Sequence, residues 1–205
     1  MVAHELRTPL SSVRGAIGLL GGGVAGPLPE GALRLVSLAR EGTDRLDRLV
    51  RDLLDLERLR AGLVPLRLEP LDVAELVTTA ARAVGGTARA AGVRLELDPH
   101  PPVRVSGDRE RLAQALANLF GHAVRFAPSG TPVRVTVGGS GDRVRISVLD
   151  QGRPATEEEL ATAFEPRMGG GAEGRRGSGP GLLITRLVVQ GHAGAVGLEI
   201  GRAHV

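Results

Sequence analysis

Four clusters in this 205-residue sequence place side chains or backbone where they can do chemistry. His4-Glu5 comes first, with Thr8 one helical turn further on. A solvent-facing imidazole is substantially unprotonated near neutral pH and has a ring nitrogen free to attack phosphorus. Glu5 beside it can orient the ring or take its proton. The second cluster is Asn118, the only asparagine in the chain, followed by His122 and Arg125. In the third, Val148-Leu149-Asp150-Gln151-Gly152-Arg153-Pro154, a carboxylate ends a strand and a glycine lets the chain turn. The fourth, Gly177-Ser178-Gly179-Pro180-Gly181-Leu182-Leu183, leads into a helix. Such a loop can bring backbone N–H groups close to phosphate oxygens at the helix's positive end. Taken singly, each has an ordinary structural explanation: a surface histidine, a capped helix, a turn, a flexible connection.

The elements that must position these residues are legible from apolar spacing. Leu6, Leu10, Val13, Ile17 and Leu20 follow a 4-3-4-3 rhythm that predicts a helix with a coiled-coil-like seam. His4 then lies two residues before the seam and is expected to point outward, with Thr8 on the same side. Pro9 removes a backbone bond just below it and favours a bend. Gly21-Gly22-Gly23 and Gly26-Pro27-Leu28-Pro29 interrupt the helix. A second one follows through Leu35, Ala39, Gly42, Leu46, Leu49, Leu53 and Leu56. A lone two-helix hairpin leaves its seam in water, so pairing with a second copy into a four-helix bundle, a homodimer, is expected.

After Pro65 the rhythm shortens and a second domain is expected, giving boundaries at 1–64 and 65–205. Leu66–Leu68 and Val93–Leu97 read as strands, and Val73–Val84 as a helix. Val133–Val137 and Val144–Leu149 read as a hairpin turning at Gly138-Gly139-Ser140-Gly141-Asp142. Asp108–Ala123 and Gly181–Gln190 read as helices. Strands and helices mix without regular βαβ alternation, which predicts an α+β chain: a helical hairpin, then an α/β sandwich with helices on one sheet face.

Composition excludes several function classes. Cysteine is absent, which removes disulfides, thiolate metal sites and cysteine nucleophiles. With only Phe120, Phe126 and Phe164, the stacking platforms of single-stranded nucleic-acid binders would be hard to build. The sequence pI of about 10.9 suggests a basic nucleic-acid protein. Every one of its 26 Lys+Arg residues is arginine, however, and the formal net charge is only +3. No nucleic-acid partner is expected. No membrane segment or signal peptide is read in this chain, and a cytoplasmic location is expected.

The string His4-Glu5-Leu6-Arg7-Thr8-Pro9-Leu10 resembles the phospho-acceptor box of sensor histidine kinases of two-component systems residue for residue. The resemblance continues through GPLPE and LVRDLLDLERLRAGLVPLRLEPLDVAELV. Asn118-Leu-Phe-Gly-His122-Ala-Val-Arg125-Phe126-Ala-Pro128 resembles that family's asparagine box, which holds Mg²⁺ against the triphosphate. Asp150 and Gly152 fall on its first glycine box, Phe164-Glu165-Pro166 on its phenylalanine box, Met168–Arg176 on its nucleotide lid, and Gly177, Gly179, Gly181 and Leu182 on its phosphate loop.

The resemblance implies a dimerisation and phosphotransfer hairpin followed by an ATP-binding domain of the gyrase, heat-shock chaperone and histidine kinase type. It implies transfer of the ATP γ-phosphoryl group to His4 and then to an aspartate of a response-regulator receiver domain. Glu5 and Thr8 would assist both that transfer and dephosphorylation of the partner. Asp150 would accept a hydrogen bond from the adenine amino group. Asn118, His122 and Arg125 would serve the nucleotide, with Asn118 and His122 facing Mg²⁺. The resemblance also implies a sensor segment ahead of Met1, of the kind that a membrane can anchor.

Three positions depart from the family's pattern. His122 stands where an asparagine faces the metal, and an imidazole is a poorer magnesium ligand than an amide oxygen. Pro154 replaces a glycine beside the adenine, fixing φ and removing an N–H. Pro180 interrupts the phosphate loop between Gly179 and Gly181. Two functions therefore stand side by side: an ATP-dependent histidine autokinase, and a degenerate relay or phosphatase partner whose hairpin still docks a response regulator.

Overall fold

Two glycines in left-handed backbone, Gly23 (φ +78°) and Gly26 (φ +91°), reverse the chain after its first helix. A computed structural model describes residues 2–60, 65–98, 102–140, 143–165 and 180–199, with side chains described from Thr8 onward in the first helix. The chain divides into two compact units, Met1–Ala61 and Gly62–Val205.

The first unit is a hairpin of α1 (Val2–Gly21) and α2 (Glu30–Arg60). α1 runs through Pro9. The carbonyl of Pro29 receives the N–H groups of Ala32 and Leu33 at 2.9 and 3.1 Å, which opens α2, and Glu30 pairs with Arg34 one turn on at 2.6 Å. The two helices meet where Arg14 pairs with Asp47 at 3.6 Å and where Gly21 lies against Val36. Ala32, Val36, Thr43, Asp47 and Val50 form the more covered stripe of α2. Over the described side chains the anticipated seam is a different stripe: Leu35, Ala39, Gly42 and Leu46 are exposed, Leu35 by 68%, while Leu49, Leu53 and Leu56 lie outside the described side chains. One helix neighbour covers one stripe, so a hairpin by itself leaves the adjacent stripe in water.

In the second unit, β1 (Glu69–Asp72) pairs antiparallel with β3 (Arg104–Gly107). A three-stranded sheet has the order β2 (Arg94–Leu97), β4 (Pro132–Ser140), β5 (Arg143–Leu149), parallel then antiparallel. The strand expected at Leu66–Leu68 is not formed. The N–H of Arg67 instead donates to Asp108 Oδ2 at 3.1 Å, committing that backbone to a helix cap. The hairpin turn is shorter than expected, because Gly138, Gly139 and Ser140 continue the ladder opposite Arg145, Val144 and Arg143.

α3 (Val73–Ala90) is capped by Asp72, whose Oδ1 accepts from the Ala74 N–H at 2.8 Å. It passes the expected end at Val84, through Gly85 and Gly86. Each glycine costs about 1 kcal/mol in a helix, and burial of Ala88 against Val93, Ala123, Val124 and Val133 carries the helix on. α4 (Arg109–Phe126) is capped by Asp108, which accepts from the Arg111 N–H at 3.1 Å. α5 (Glu157–Thr162) and α6 (Gly181–Gly191) complete the unit.

The β4 residues Val133, Val135 and Val137 alternate with polar neighbours, as do Val144, Ile146 and Val148 of β5. The apolar members face α3 and α4, so the helices cover one face of the sheet. Phe120, fully buried, anchors α4 in this core with Leu76, Val77, Ala80 and Leu116. The architecture is the α+β arrangement expected. Among the described residues no helix is long and apolar enough to cross a membrane.

Candidate functional site

α4 carries Asn118, His122 and Arg125 at spacings that stack them along one side of the helix. The apolar stripe through Leu116, Phe120 and Val124 faces the core, so this polar stripe lies off it. Asn118 Nδ2 donates to the carbonyl of Gly181 at 3.1 Å, joining α4 to the first turn of α6 and leaving Oδ1 as an acceptor. His122, one turn on, is largely covered, and its Nδ1 is buried without a hydrogen-bond partner. Burial drives its pKa down to about 4. The Arg125 charge pushes the same way, and Asp150 works weakly against both. The ring is therefore neutral across the physiological range. It packs on Phe126 with centroids 4.7 Å apart, while the Arg125 guanidinium sits 5.4 Å from the centre of the same ring.

Asp150 follows β5 and closes an Asx turn: its Oδ1 accepts the Gly152 N–H at 2.8 Å. The turn is pressed against the end of α4. A Cβ at position 152 would lie 2.6 Å from the Phe126 carbonyl oxygen and 2.7 Å from Asp150 Oδ1, so only glycine fits. The chain beyond is held by Arg153, which pairs with Glu159 (Nη1 to Oε2, 2.9 Å). Glu159 completes a capping box with Thr156 at the start of α5. The Arg153 hydrogen bonds hold the Glu159 carboxyl down at about 2. Pro154, where a glycine was expected, receives a hydrogen bond from Arg153 at its carbonyl (3.2 Å). The loop is thus tied by hydrogen bonds at both ends.

Gly181 and Leu182 begin α6. A Cβ at Gly181 would approach Asn118 Cγ to 3.4 Å, so a glycine here permits the helix–helix contact. Leu182 is buried. Gly177, Gly179 and the lid stretch Met168–Arg176 lie outside the described residues, as does Pro166 of the phenylalanine box; Phe164 is half-buried.

The structure therefore brings Asn118, His122, Arg125, Asp150, Gly152, Gly181 and Leu182 to the junction of α4, the β5 turn and α6. His4 and Glu5 lie in the first two turns of α1, with their side chains outside those described, and Thr8 is exposed one turn on.

Two supporting residues escaped sequence reading. Thr185, fully buried, donates from Oγ1 toward the carbonyls of Gly181 (2.9 Å) and Ala115 (3.3 Å), locking α6 to α4 beneath the site. A threonine in an apolar helix gives no sequence signal of that role. His192 Nε2 accepts the Asp108 N–H at 2.9 Å and its Nδ1 faces the Val188 carbonyl at 2.8 Å, so the end of α6 holds the start of α4. Its setting, Gly191-His192-Ala193-Gly194, carries no signal of that contact.

Known proteins resemble this chain along nearly its whole length. Residues 1–62 match the family described as His Kinase A (phospho-acceptor) domain. Residues 107–203 match the Histidine kinase-, DNA gyrase B-, and HSP90-like ATPase family. The chain is 33% identical over 201 residues to the histidine protein kinase DivJ of Caulobacter vibrioides, covering 97% of this chain and 34% of that protein. It is 34% identical over 200 residues to the sensor histidine kinase ZraS of Klebsiella oxytoca, covering 97% and 41%. It thus spans well under half of these curated relatives. Among solved structures, full-length ShkA in complex with AMPPNP superposes with a TM-score of 0.75 at 32% identity, covering 98% of this chain and 42% of that one. The Acinetobacter baumannii histidine kinase AdeS gives 0.59 at 25% identity, covering 92% and 86%. With a phospho-acceptor hairpin and a kinase-type ATPase unit in one continuous match, the chain belongs to the sensor histidine kinases.

Proposed function

We propose that this chain is the phosphotransfer and catalytic portion of a histidine autokinase, residues 1–64 bearing the acceptor and 65–205 the nucleotide site. The phosphoryl group passes from ATP to His4 and then to an aspartate of a response-regulator receiver domain. The observation that carries the reading is the junction of α4, the Asp150–Gly152 turn and the start of α6, with Asn118 bonded to Gly181 at its centre. That junction lies in an ATPase-family unit on the same chain as the string His4-Glu5-Leu6-Arg7-Thr8-Pro9-Leu10.

Each residue has a chemical task in this reading. Asp150 spends one carboxylate oxygen on Gly152 and keeps Oδ2 to accept from the adenine amino group. Gly152 keeps the turn close enough to α4 for that. Gly181 and Leu182 offer the N–H groups at the start of α6 to phosphate oxygens. Arg125 adds positive charge near the triphosphate. His4 attacks phosphorus through a ring nitrogen, Glu5 orients that ring or takes its proton, and Thr8 helps position the water that removes phosphate from the regulator. Catalysis rests on positioning and charge neutralisation.

A divalent cation bound with the nucleotide supplies neutralisation of phosphate charge. Among the described residues no group of three or more His, Asp or Glu is placed to hold a cation alone. The protein ligands on offer are Asn118 Oδ1 and the His122 ring, a set that suits an ion held mainly by phosphate and water. The exposed leucines 33, 35, 38 and 46 of α2 support pairing of two hairpins into a four-helix bundle.

The test is nucleotide titration of the whole chain. Asp150→Asn should weaken ATP binding by about 10- to 100-fold, the loss of one hydrogen bond to a charged acceptor. An affinity unchanged by Asp150→Asn would contradict the placement of the adenine. The degenerate reading gains ground if the wild-type chain binds no nucleotide while still docking a receiver domain.

A further inference from the structure

α3 and the outer edge of β2 form a groove of about 610 Å³ that shares no lining residue with the α4–α6 junction. Its helical wall is a stripe of small residues on successive turns, Thr78, Ala81 and Gly85. Gly85 keeps it open: a Cβ there would find only Arg89 Nη1 within reach, at 3.8 Å. The opposite wall is a strand edge. The N–H groups of Arg94 and Asp98 donate to the Thr131 and Val135 carbonyls at 3.4 and 2.9 Å, which turns the backbone groups of Leu95 and Leu97 the other way. β2 ends its sheet, and among the described residues no strand pairs with that side.

Charge decides what fits there. Arg82 and Arg89 of α3 and Arg94 of β2 line the groove and are exposed, and none of the three has a carboxylate partner among the described residues. The one described carboxylate in the lining, Glu96, faces Arg134 at 3.9 Å. Like charges across a strand pair repel and opposite charges attract. Arginines beside an open edge therefore turn away a basic strand, as charged edges do in general, and admit an acidic one.

We propose that this groove docks an extended acidic segment of a partner protein, which adds a strand beside β2. Main-chain hydrogen bonds to Leu95 and Leu97 hold the segment, alternate side chains enter the space over Gly85, and its carboxylates meet the three arginines.

The experiment titrates the full chain with a blocked synthetic peptide that alternates glutamate with valine, and with the same peptide carrying lysine for glutamate. Calorimetry reads binding and NMR reads amide exchange. The glutamate peptide should bind at least about tenfold more tightly than the lysine peptide, by a margin that shrinks as salt is raised. It should also slow exchange of the Leu95 and Leu97 amides. Gly85→Leu fills the groove with a better helix former, so affinity should fall by about tenfold while the melting temperature holds or rises. Reversing Arg82 and Arg89 together to glutamate should bring the two peptides to within about threefold of each other.

Equal binding of the two peptides overturns the proposal, as does an affinity indifferent to Gly85→Leu or binding that leaves the Leu95 and Leu97 amides exchanging as before. Binding of neither peptide also overturns it. If the chain then shows self-association that Gly85→Leu abolishes, the groove belongs to a second copy instead.

Discussion

Asn118 and Gly181, 63 residues apart, meet through an amide-to-carbonyl hydrogen bond of 3.1 Å that places the start of α6 on the polar side of α4. In the proposed nucleotide site, this contact sets the distance between the polar side chains of α4 and the backbone N–H groups at the start of α6.

Thr185 supports the contact from beneath, through its hydroxyl to the carbonyls of Gly181 and Ala115. Thr185→Val keeps the shape and removes the hydroxyl donor, leaving the Gly181 carbonyl with the Asn118 amide. The expected cost is about 1–2 kcal/mol of stability, read by urea denaturation, with a loss of nucleotide affinity. A variant as stable as the parent would show that the hydroxyl adds nothing there.

Gly152→Ala tests the turn. Its Cβ would lie 2.6 Å from the Phe126 carbonyl oxygen, a backbone atom that cannot swing aside. Strain of about 1–3 kcal/mol and displacement of Asp150 are expected, lowering both the melting temperature and adenine-nucleotide affinity. Full retention of affinity would mean that the turn does not position Asp150.

His122 gives a signed pH dependence. Its folded-state pKa, about 4, lies below the ordinary value of 6.5, chiefly through burial. The unfolded chain therefore binds more protons between those two values, and stability falls as pH drops from 6.5 toward 4, by about 3 kcal/mol in all. Thermal melts in chelator across this range should show that decline, reduced in His122→Asn relative to the parent. Parallel slopes in the two proteins would place the ring in a solvated setting.

Much of this molecule was legible in its sequence, and the failures have physical causes. Both helices of the hairpin, α4 with its Asp108 cap, and the β4–β5 pair follow from apolar rhythm and turn residues, which act locally. Leu66–Leu68 misled because its alternation matches a strand, whereas the Arg67 N–H is taken by Asp108, 41 residues away. α3 outran Gly85 because burial of Ala88 outweighs glycine's helix cost. Among the described side chains of α2 the covered stripe differs from the leucine seam, because spacing shows which residues are apolar, not which neighbour covers them. At the site, Asp150, Gly152 and Asn118 announced themselves through motif resemblance. Thr185 and His192 did not, since their roles exist only once α6 lies against α4.

In the proposed function, His4 carries the phosphate and is charged from the α4–α6 site. The most direct test is incubation of the full chain with γ-labelled ATP and Mn²⁺ or Mg²⁺, followed by acid and base treatment of the labelled protein. A base-stable, acid-labile label is predicted, absent from His4→Gln and strongly reduced in Asp150→Asn. A label of the same kind and yield in His4→Gln would contradict the account.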